Sequence, residues 1–163
     1  MKLPKDKKAY VIGMSGLEEE LGEEGVAFIG GTVRPLQPTP TKGRQTHELN
    51  MKLLEMNATQ DPADNTLEPF SLADFTLDPS VAVVVCGLDT SINYTKLSKA
   101  FQYLTRNEGC VFLATNEDST FPDSFGLLPG AGSVSAPLRF ALGRDPLSTG
   151  KPSKTMLDCV RAK

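Results

Sequence analysis

Val81-Ala82-Val83-Val84-Val85-Cys86 is an unbroken apolar run in which most residues are β-branched. Apolar and polar residues do not alternate along it, so it does not have the pattern of a strand with one face in water. Continuous runs of this kind are typical of central strands in parallel sheets, which are covered on both faces. The sequence therefore predicts a buried strand over residues 81–86 in the middle of a sheet.

Patterns of strands and helices alternate on both sides of this run. Further strands are predicted over residues 9–13, 26–29 and 110–114, and helices over about 15–24, 93–106 and 135–142, with another helix from Pro152. In the second helix, Tyr94, Leu97, Phe101 and Leu104 recur at spacings of three and four, which puts them on one predicted buried face. The alternation predicts an α/β domain with a mixed or mostly parallel sheet and flanking helices.

The turn Gly13-Met14-Ser15-Gly16 joins the first strand to the first helix. It has two of the three glycines of a dinucleotide-binding turn, and the helix opens with Glu18, Glu19 and Glu20, which would repel a phosphate. Ser15 and Glu18 instead have the spacing of a capping box, in which each side chain bonds the backbone of the other residue. We therefore expect a capping box here and a solvated acidic face over residues 18–24.

Two segments lack a regular pattern. Residues 32–79 contain many prolines and one helical pattern, around His47 to Met56, and we expect an inserted irregular excursion that covers an edge of the sheet. Residues 115–133 are rich in Gly, Pro, Ser and Asp and are predicted to form a loop.

The composition excludes several classes of function. A net charge of -3 over 163 residues leaves no basic face for nucleic acid, and no apolar run is long enough to span a membrane. A single histidine, His47, argues against a zinc site and against Ser–His or Cys–His catalysis. Two of the three cysteines, Cys86 and Cys110, lie in apolar runs, which indicates buried thiols and a reducing, cytoplasmic location.

Polar residues follow the strand at residues 110–114. Ligands of open α/β sheets bind beyond the carboxyl ends of strands, so Asn116 and Asp118 are candidates for binding a polar substrate. The same two residues could equally form side-chain turns with the backbone, and both interpretations stay open. Gly130 and Gly132 are further candidates, because they add backbone N–H groups ahead of the next helix, but a lone Gly-x-Gly is a weak signal.

Gly150-Lys151-Pro152-Ser153 contains the Gly-Lys pair of a phosphate-binding P-loop. The full motif requires a glycine five residues before Gly150 and Ser or Thr after the lysine, whereas Asp145 and Pro152 stand there. The P-loop is therefore rejected. What remains is a lysine directly before a helix that begins with proline, which can either reach a phosphate or lie solvated on the surface.

The patterned segments carry short motifs in a fixed order: Tyr10-Val11-Ile12-Gly13, Val83-Val84-Val85-Cys86-Gly87-Leu88-Asp89, Tyr94-Thr95-Lys96-Leu97, Ala114-Thr115-Asn116-Glu117-Asp118, Pro129-Gly130-Ala131-Gly132-Ser133 and Gly150-Lys151-Pro152-Ser153. This order and spacing resembles the phosphoglycolate phosphatase and p-nitrophenylphosphatase branch of the haloacid dehalogenase superfamily, which includes the pyridoxal-phosphate phosphatases. The resemblance covers the chain except residues 32–79.

The resemblance implies that residues 1–145 are an α/β cap domain and that residues 146–163 begin the returning Rossmann-like core. Lys151 matches the core lysine that neutralises the phosphoryl group and the attacking aspartate. Asn116, Asp118, Gly130 and Gly132 match substrate-side positions. The pyridoxal-phosphate phosphatases have a histidine where Phe121 stands, so an apolar residue favours phosphoglycolate or p-nitrophenyl phosphate-like substrates.

The family's other groups are an Asp-x-Asp pair, a phosphate-holding Ser or Thr and a late acidic pair that holds Mg²⁺. This chain has no Asp-x-Asp and no Gly-Asp pair. The resemblance therefore implies a cap-domain fragment of a magnesium-dependent phosphatase that acts on a small phosphorylated metabolite. We expect the isolated chain to bind no Mg²⁺ and to be inactive.

Caps of this family commonly form the homodimer contact, and the helix near Ser133 to Leu142 is the candidate for it. Its apolar residues Leu138, Phe140, Ala141 and Leu142 could equally lie in the core. A non-catalytic dimerisation or regulatory module with a cap-like fold is the alternative function.

Overall fold

The computed structural model describes residues 3–32, 58–59, 64 and 69–150. The strands are β1 Lys8–Ile12, β2 Ala27–Gly30, β3 Ala58–Thr59, β4 Val81–Cys86, β5 Val111–Ala114, β6 Thr120–Asp123, β7 Gly126–Pro129 and β8 Leu147–Ser148. The helices of the described part are α1 Ser15–Glu23, α2 Tyr94–Arg106 and α3 Ala131–Leu142.

Six strands form one sheet in the order β3-β2-β1-β4-β5-β8, and every neighbouring pair is parallel. Successive strands move outward from β1 in one direction and from β4 in the other, so the chain switches direction between these two. The predicted central position of residues 81–86 and the predicted α/β fold with a mostly parallel sheet are both confirmed. β6 and β7 pair separately as an antiparallel hairpin.

The sheet is covered on both faces, and β4 contributes side chains to both cores. Val84 and Cys86 pack on the α2 and α3 side, whereas Val83 and Val85 pack on the α1 side. Full burial of a valine side chain stabilises a fold by about 1.5–3 kcal/mol. The unbroken apolar run is therefore explained by a strand with no solvent-facing side.

Helix α2 begins close to its predicted position, because the Asn93 side chain accepts a hydrogen bond from the Lys96 N–H at 2.9 Å. The predicted buried face is wrong in part, since Tyr94 is 77% exposed. The face turned inward carries Lys96, Ala100 and Tyr103. Two lysines on this side are paired with buried aspartates, which allows a face containing cations to point into the protein.

Helix α1 lacks the predicted capping box. The N-cap position is Met14, with no side-chain hydrogen bond to the helix start. Glu18 is buried and accepts hydrogen bonds from the Thr32 N–H and, at 2.6 Å, from the Thr32 hydroxyl. The Glu18 side chain thus holds the turn after β2, while the other four glutamates of the predicted acidic face, Glu19, Glu20, Glu23 and Glu24, are exposed.

The prediction of a loop over residues 115–133 is wrong in part. Residues 120–129 form the β6–β7 hairpin, and α3 begins at Ala131, four residues before its predicted start near Ser135. Most side chains of the hairpin are exposed, so no alternation of buried and exposed residues marks its strands in the sequence. The glycine-rich start of α3 lies in close contact with the backbone of Glu117 and Asp118.

Parts of the predicted irregular excursion pack on the domain. β3 lies at the edge of the sheet beside β2, and Phe75 and Leu77 pack against the core on the α2 side. The predicted helix around His47 to Met56 lies outside the described residues, as does the helix predicted from Pro152. No helix in the described part of the chain is long and apolar enough to cross a membrane.

Candidate functional site

The carboxyl ends of β4, β5 and β8 meet at one edge of the sheet, because these neighbouring strands are parallel. Gly87 follows β4, Thr115 and Asn116 follow β5, and Thr149 and Gly150 follow β8. This is the edge at which open α/β sheets bind ligands. It carries three loops that can present polar groups to one molecule.

Asn116 and Asp118 are brought together by the loop after β5. The Asn116 side-chain amide donates to Asp118 Oδ2 at 2.7 Å, and the Thr115 hydroxyl donates to Asn116 Oδ1 at 3.2 Å. Asn116 is half-buried and Asp118 is exposed. The two polar side chains therefore hold each other at the surface of the loop, within reach of solvent.

Gly130 and Gly132 support the same loop through their backbone. The Gly130 N–H donates to the Ser119 carbonyl at 2.8 Å, and the Gly132 N–H donates to the Asp118 carbonyl at 2.9 Å. A side chain at either glycine would collide with the backbone of Asp118 or Glu117. The glycines thus let the start of α3 approach the loop, and both of these N–H groups donate to the loop itself.

Arg139 ties the loop to the far end of α3. Its guanidinium donates to Asp145 Oδ1 at 2.6 and 2.9 Å and lies 3.6 Å from Glu117 Oε1. The hydrogen bonds to Asp145 raise the pKa of Arg139, so the side chain stays cationic. Glu117, the residue after Asn116, is therefore held by an ion pair as well as by the backbone contacts of α3.

Phe121 lies on β6, opposite Leu128 of β7. It is half-buried, whereas the neighbouring apolar side chains are open to solvent: Phe125 is 100% exposed, Leu127 70% and Leu128 45%. The hairpin therefore presents an apolar surface that begins two residues after Ser119, next to the loop of Asn116 and Asp118.

Lys151 lies outside the described residues, and its predicted role is untested. Gly150, the residue before it, packs against the β5 loop: a Cβ at position 150 would lie 2.6 Å from the Thr115 carbonyl oxygen and 2.8 Å from Asn116 Cα. The backbone leading to Lys151 is thus in contact with Asn116.

The glycines of the turn between β1 and α1, residues 13–16, were considered above as part of a dinucleotide-binding turn, but Gly13 is explained by packing. A Cβ on Gly13 would lie 2.8 Å from Leu17 Cδ2, so the space above this turn is filled by a core side chain. Within the described residues there is no group of three or more His, Cys, Asp or Glu side chains arranged to hold a metal ion.

Sequence reasoning missed a buried polar cluster at the start of α2. Lys96 pairs with Asp89, and Lys99 pairs with Asp64, which also accepts a hydrogen bond from the Tyr10 hydroxyl at 3.1 Å. The sequence contained a signal for this cluster. Lys96 and Lys99 fall on the same helix face as Ala100 and Tyr103, which indicates lysines that turn inward and need acidic partners. The contact of the Thr115 hydroxyl with Asn116 and that of Gly150 with the loop after β5 had no comparable signal.

No protein-family model matches the chain. It is 40% identical over 162 residues to the 4-nitrophenylphosphatase of Schizosaccharomyces pombe, covering 99% of this chain and 45% of that protein. It is 34% identical to phosphoglycolate phosphatase 2 of Arabidopsis thaliana, covering 98% and 44%, and 31% identical to the glycerol-3-phosphate phosphatase of Gallus gallus, covering 99% and 43%. The chain spans less than half the length of these relatives.

Among solved structures, a glycerol phosphate phosphatase from Mycobacterium tuberculosis in complex with magnesium matches 99% of this chain and 35% of its own, with a TM-score of 0.58 and 24% identity. A hypothetical protein from Pyrococcus horikoshii matches 95% and 76%, with a TM-score of 0.51 and 24% identity. These two matches show a shared fold. The resemblance to the phosphoglycolate phosphatase and p-nitrophenylphosphatase branch, predicted from the sequence, is confirmed.

Proposed function

We propose that this chain, a homologue of the phosphoglycolate and p-nitrophenyl phosphatases, is the cap, or substrate-specificity, domain of a phosphomonoester phosphatase. Residues 1–145 form the cap, and residues 146–163 begin the Rossmann-like core. The parent enzyme hydrolyses small phosphate esters such as phosphoglycolate or p-nitrophenyl phosphate through an aspartyl-phosphate. Support comes from similarity over almost the whole chain to proteins with these names.

The observation that carries the proposal is the contact between Gly150 and Asn116. In the proposed enzyme Lys151 neutralises the phosphoryl group, and such electrostatic stabilisation is the main protein contribution to phosphoryl transfer. Asn116 and Asp118 bind the polar part of the ester, and Phe121 contacts its apolar part. Gly130 and Gly132 complete the substrate side by holding this loop on α3.

Magnesium is assigned to segments of the parent enzyme outside this chain. The described residues do not fit a metal site, because they contain no group of three or more potential ligands. The family's Asp-x-Asp and Gly-Asp motifs are likewise missing from the sequence. No step of the reaction is therefore attributed to a metal held by this chain, and we expect the chain alone to be inactive.

The test uses the full-length product of the gene that encodes this chain. We expect it to release inorganic phosphate from p-nitrophenyl phosphate or phosphoglycolate, with loss of activity in EDTA. Lys151→Ala should lower kcat by about 10²–10³-fold, the range seen when one charge-stabilising donor is removed. Lys5→Ala, which changes an exposed lysine, is the matched control and should leave kcat unchanged.

Two outcomes would contradict the proposal. Turnover by the isolated chain that disappears in Lys151→Ala would mean that a complete site is present in these residues. A full-length protein without phosphatase activity would favour the alternative, a non-catalytic dimerisation or regulatory module.

We also propose that α3 contributes to a homodimer in the cytoplasm. Leu138 is 2% exposed and belongs to the core, whereas Phe140 is 93% exposed on the same helix. Phe140→Ser should therefore weaken association without unfolding the chain, which sedimentation velocity can measure. Phe125→Ser makes the same change at an equally exposed position of the β6–β7 hairpin and is the matched control. A dimer that Phe140→Ser leaves as strong as the wild type would rule out this role of α3.

A further inference from the structure

Thr149 joins the end of β8 to the end of β5. Its N–H donates to the Ala114 carbonyl at 2.9 Å. Its hydroxyl lies 3.2 Å from the same carbonyl oxygen and 3.4 Å from that of Thr115. β8 pairs with β5 through only two residues, so these contacts extend a very short strand toward the ligand-binding edge of the sheet.

Gly150 continues this contact by close packing. Its Cβ position lies 2.6 Å from the Thr115 carbonyl oxygen, 2.8 Å from Asn116 Cα and 2.9 Å from Asn116 Cβ. Two of these three atoms belong to backbone, which cannot rotate away as a flexible side chain can. Glycine is therefore required at position 150 by the close approach of two backbone segments.

The β5 side of this contact is itself fixed. The Thr115 hydroxyl donates to Asn116 Oδ1, and the Asn116 amide donates to Asp118. A Cβ on Gly87 would lie 3.1 Å from Thr115 Oγ1, so the end of β4 also packs on Thr115. The backbone before Lys151 thus rests on a surface that is held from two further directions.

We propose that Thr149 and Gly150 are positioning residues that fix the backbone leading to Lys151 against Asn116. This inference rests on the proposed function, because it takes Lys151 as the lysine that contacts the phosphoryl group. In this arrangement the backbone that ends at Gly150 keeps one spatial relation to the substrate-side loop. A shift of about 1 Å in a catalytic group can lower a rate by about 10²-fold.

A purely structural role would have a different signature. If the contacts only held the edge strand, their loss would lower thermal stability and leave the kinetic constants of the folded enzyme unchanged. Displacement of Lys151 would instead lower kcat and weaken binding of orthovanadate, which mimics the phosphoryl-transfer transition state, while KM would change little.

The experiment measures kcat, KM and orthovanadate inhibition of the full-length protein with p-nitrophenyl phosphate. Thr149→Val removes the hydroxyl and keeps the shape, and we expect about tenfold lower kcat and about tenfold weaker orthovanadate inhibition, with KM within about twofold. Thr149→Ser keeps the hydroxyl and should restore both values. Gly150→Ala should lower kcat by about 10²-fold.

Matched controls are available at sites far from this edge. Thr105→Val removes another hydroxyl that donates to a backbone carbonyl, that of Phe101 on the surface of α2. Gly16→Ala adds a methyl group where no atom lies within 4 Å. Both control variants should keep wild-type kcat and orthovanadate inhibition.

The outcomes separate this inference from the proposed function. If Lys151→Ala is inactive but Thr149→Val and Gly150→Ala keep wild-type kcat, the positioning role is wrong and the phosphatase proposal stands. The same holds if Thr149→Val changes only the melting temperature. If the wild-type protein hydrolyses no phosphate ester, both proposals are wrong. Should Gly150→Ala fail to fold, the comparison of Thr149→Val with Thr149→Ser decides.

Discussion

Lys96 Nζ lies 2.8 Å from Asp89 Oδ2, and the two side chains are only 0% and 1% exposed. Removal of both charges from water is unfavourable, so the pair is stable only while each charge has its partner. Asp89 gains a further hydrogen bond from the Ser91 N–H at 2.8 Å. The inward-facing side of α2 therefore depends on a polar contact as well as on apolar packing.

Lys96→Met should be strongly destabilising, because it leaves the Asp89 carboxylate buried without its cation. We expect the free energy of unfolding to fall by about 3–5 kcal/mol, as for other buried pairs that lose one partner. The measurement is urea unfolding followed by circular dichroism. The double variant Lys96→Met/Asp89→Leu should recover much of the loss, because no unpaired charge remains.

Lys8→Met is the matched control for this pair. Lys8 and Asp78 form an ion pair at 3.0 Å in which the side chains are 35% and 29% exposed. Loss of a partly solvated pair should change the free energy of unfolding by less than about 1 kcal/mol. If Lys8→Met and Lys96→Met lowered the free energy of unfolding equally, the conclusion that burial makes the Lys96–Asp89 pair costly to break would be wrong.

Asp78 should make stability depend on acid pH. Burial alone would raise its pKa, but hydrogen bonds from the Ser80 hydroxyl and N–H and from Lys8 outweigh burial and lower it below the ordinary value of 3.8. A carboxylate with a lowered pKa contributes stability above its unfolded-state pKa, and this contribution is lost as the pH falls through the folded-state value.

The measurement for Asp78 compares unfolding free energies at pH 7 and pH 3. We expect Asp78→Asn to lower stability at pH 7 by about 1.5–3 kcal/mol, the range for hydrogen bonds to a charged group, and to reduce the loss on acidification. Asp6→Asn, at an exposed position, should retain the wild-type pH dependence. An unchanged pH dependence in Asp78→Asn would contradict this assignment.

Two glycine substitutions should have opposite effects. Gly16 lies in α1 with no atom within 4 Å of its Cβ position, so Gly16→Ala should stabilise the chain by about 0.5–1 kcal/mol. Gly31 has φ +85°, and its Cβ would lie 2.5 Å from Glu18 Oε1. Gly31→Ala should therefore destabilise by about 2 kcal/mol or more, since a side chain at positive φ alone costs about 1–2 kcal/mol. The measurement is the melting temperature of both variants. A shift in the same direction for both would contradict the prediction.

The thiols of Cys86 and Cys110 should react slowly in the folded chain. Burial raises the pKa of Cys86 to about 12 and that of Cys110 to about 11, so few thiolates exist at neutral pH. In a Cys159→Ser variant we expect negligible labelling by a thiol reagent at pH 8 and labelling of two thiols in urea. Both folded-state pKa values lie above the ordinary 9.0. The stability that the buried neutral thiols contribute is therefore lost as the pH rises above about 9. Rapid labelling of the native protein at pH 8 would contradict burial of these thiols.

The sequence predicted the parallel core well because its strands are continuous apolar runs. Residues 81–86 could not expose either face, and this alone required a sheet covered on both sides. The orientation of α2 was harder to predict, because Lys96 and Lys99 carry charges that are neutralised by Asp89 and Asp64, which come from other parts of the chain. Periodicity of apolar residues within the helix cannot report pairing with aspartates that lie outside it.

The candidate site was predictable only at the level of its loops. Asn116 and Asp118 follow a buried strand, so their place at the sheet edge could be deduced from topology. The contact between Asn116 and Gly150 depends on β8 pairing with β5, and a strand of two residues has no periodicity to detect. The hairpin over residues 120–129 was missed for a related reason, since its side chains are mostly solvated.

The base of that hairpin is closed by main-chain hydrogen bonds from Gly130 and Gly132 to Ser119 and Asp118. These bonds require no particular side chain in residues 120–129, and only Phe121 among them is half-buried, while the others are exposed. Outside Gly126, whose φ of +152° disfavours a side chain, mutations in this decapeptide can therefore accumulate with little penalty to folding. Evolution, or a laboratory library, can vary the apolar surface beside Asn116 while the parallel sheet beneath it stays the same.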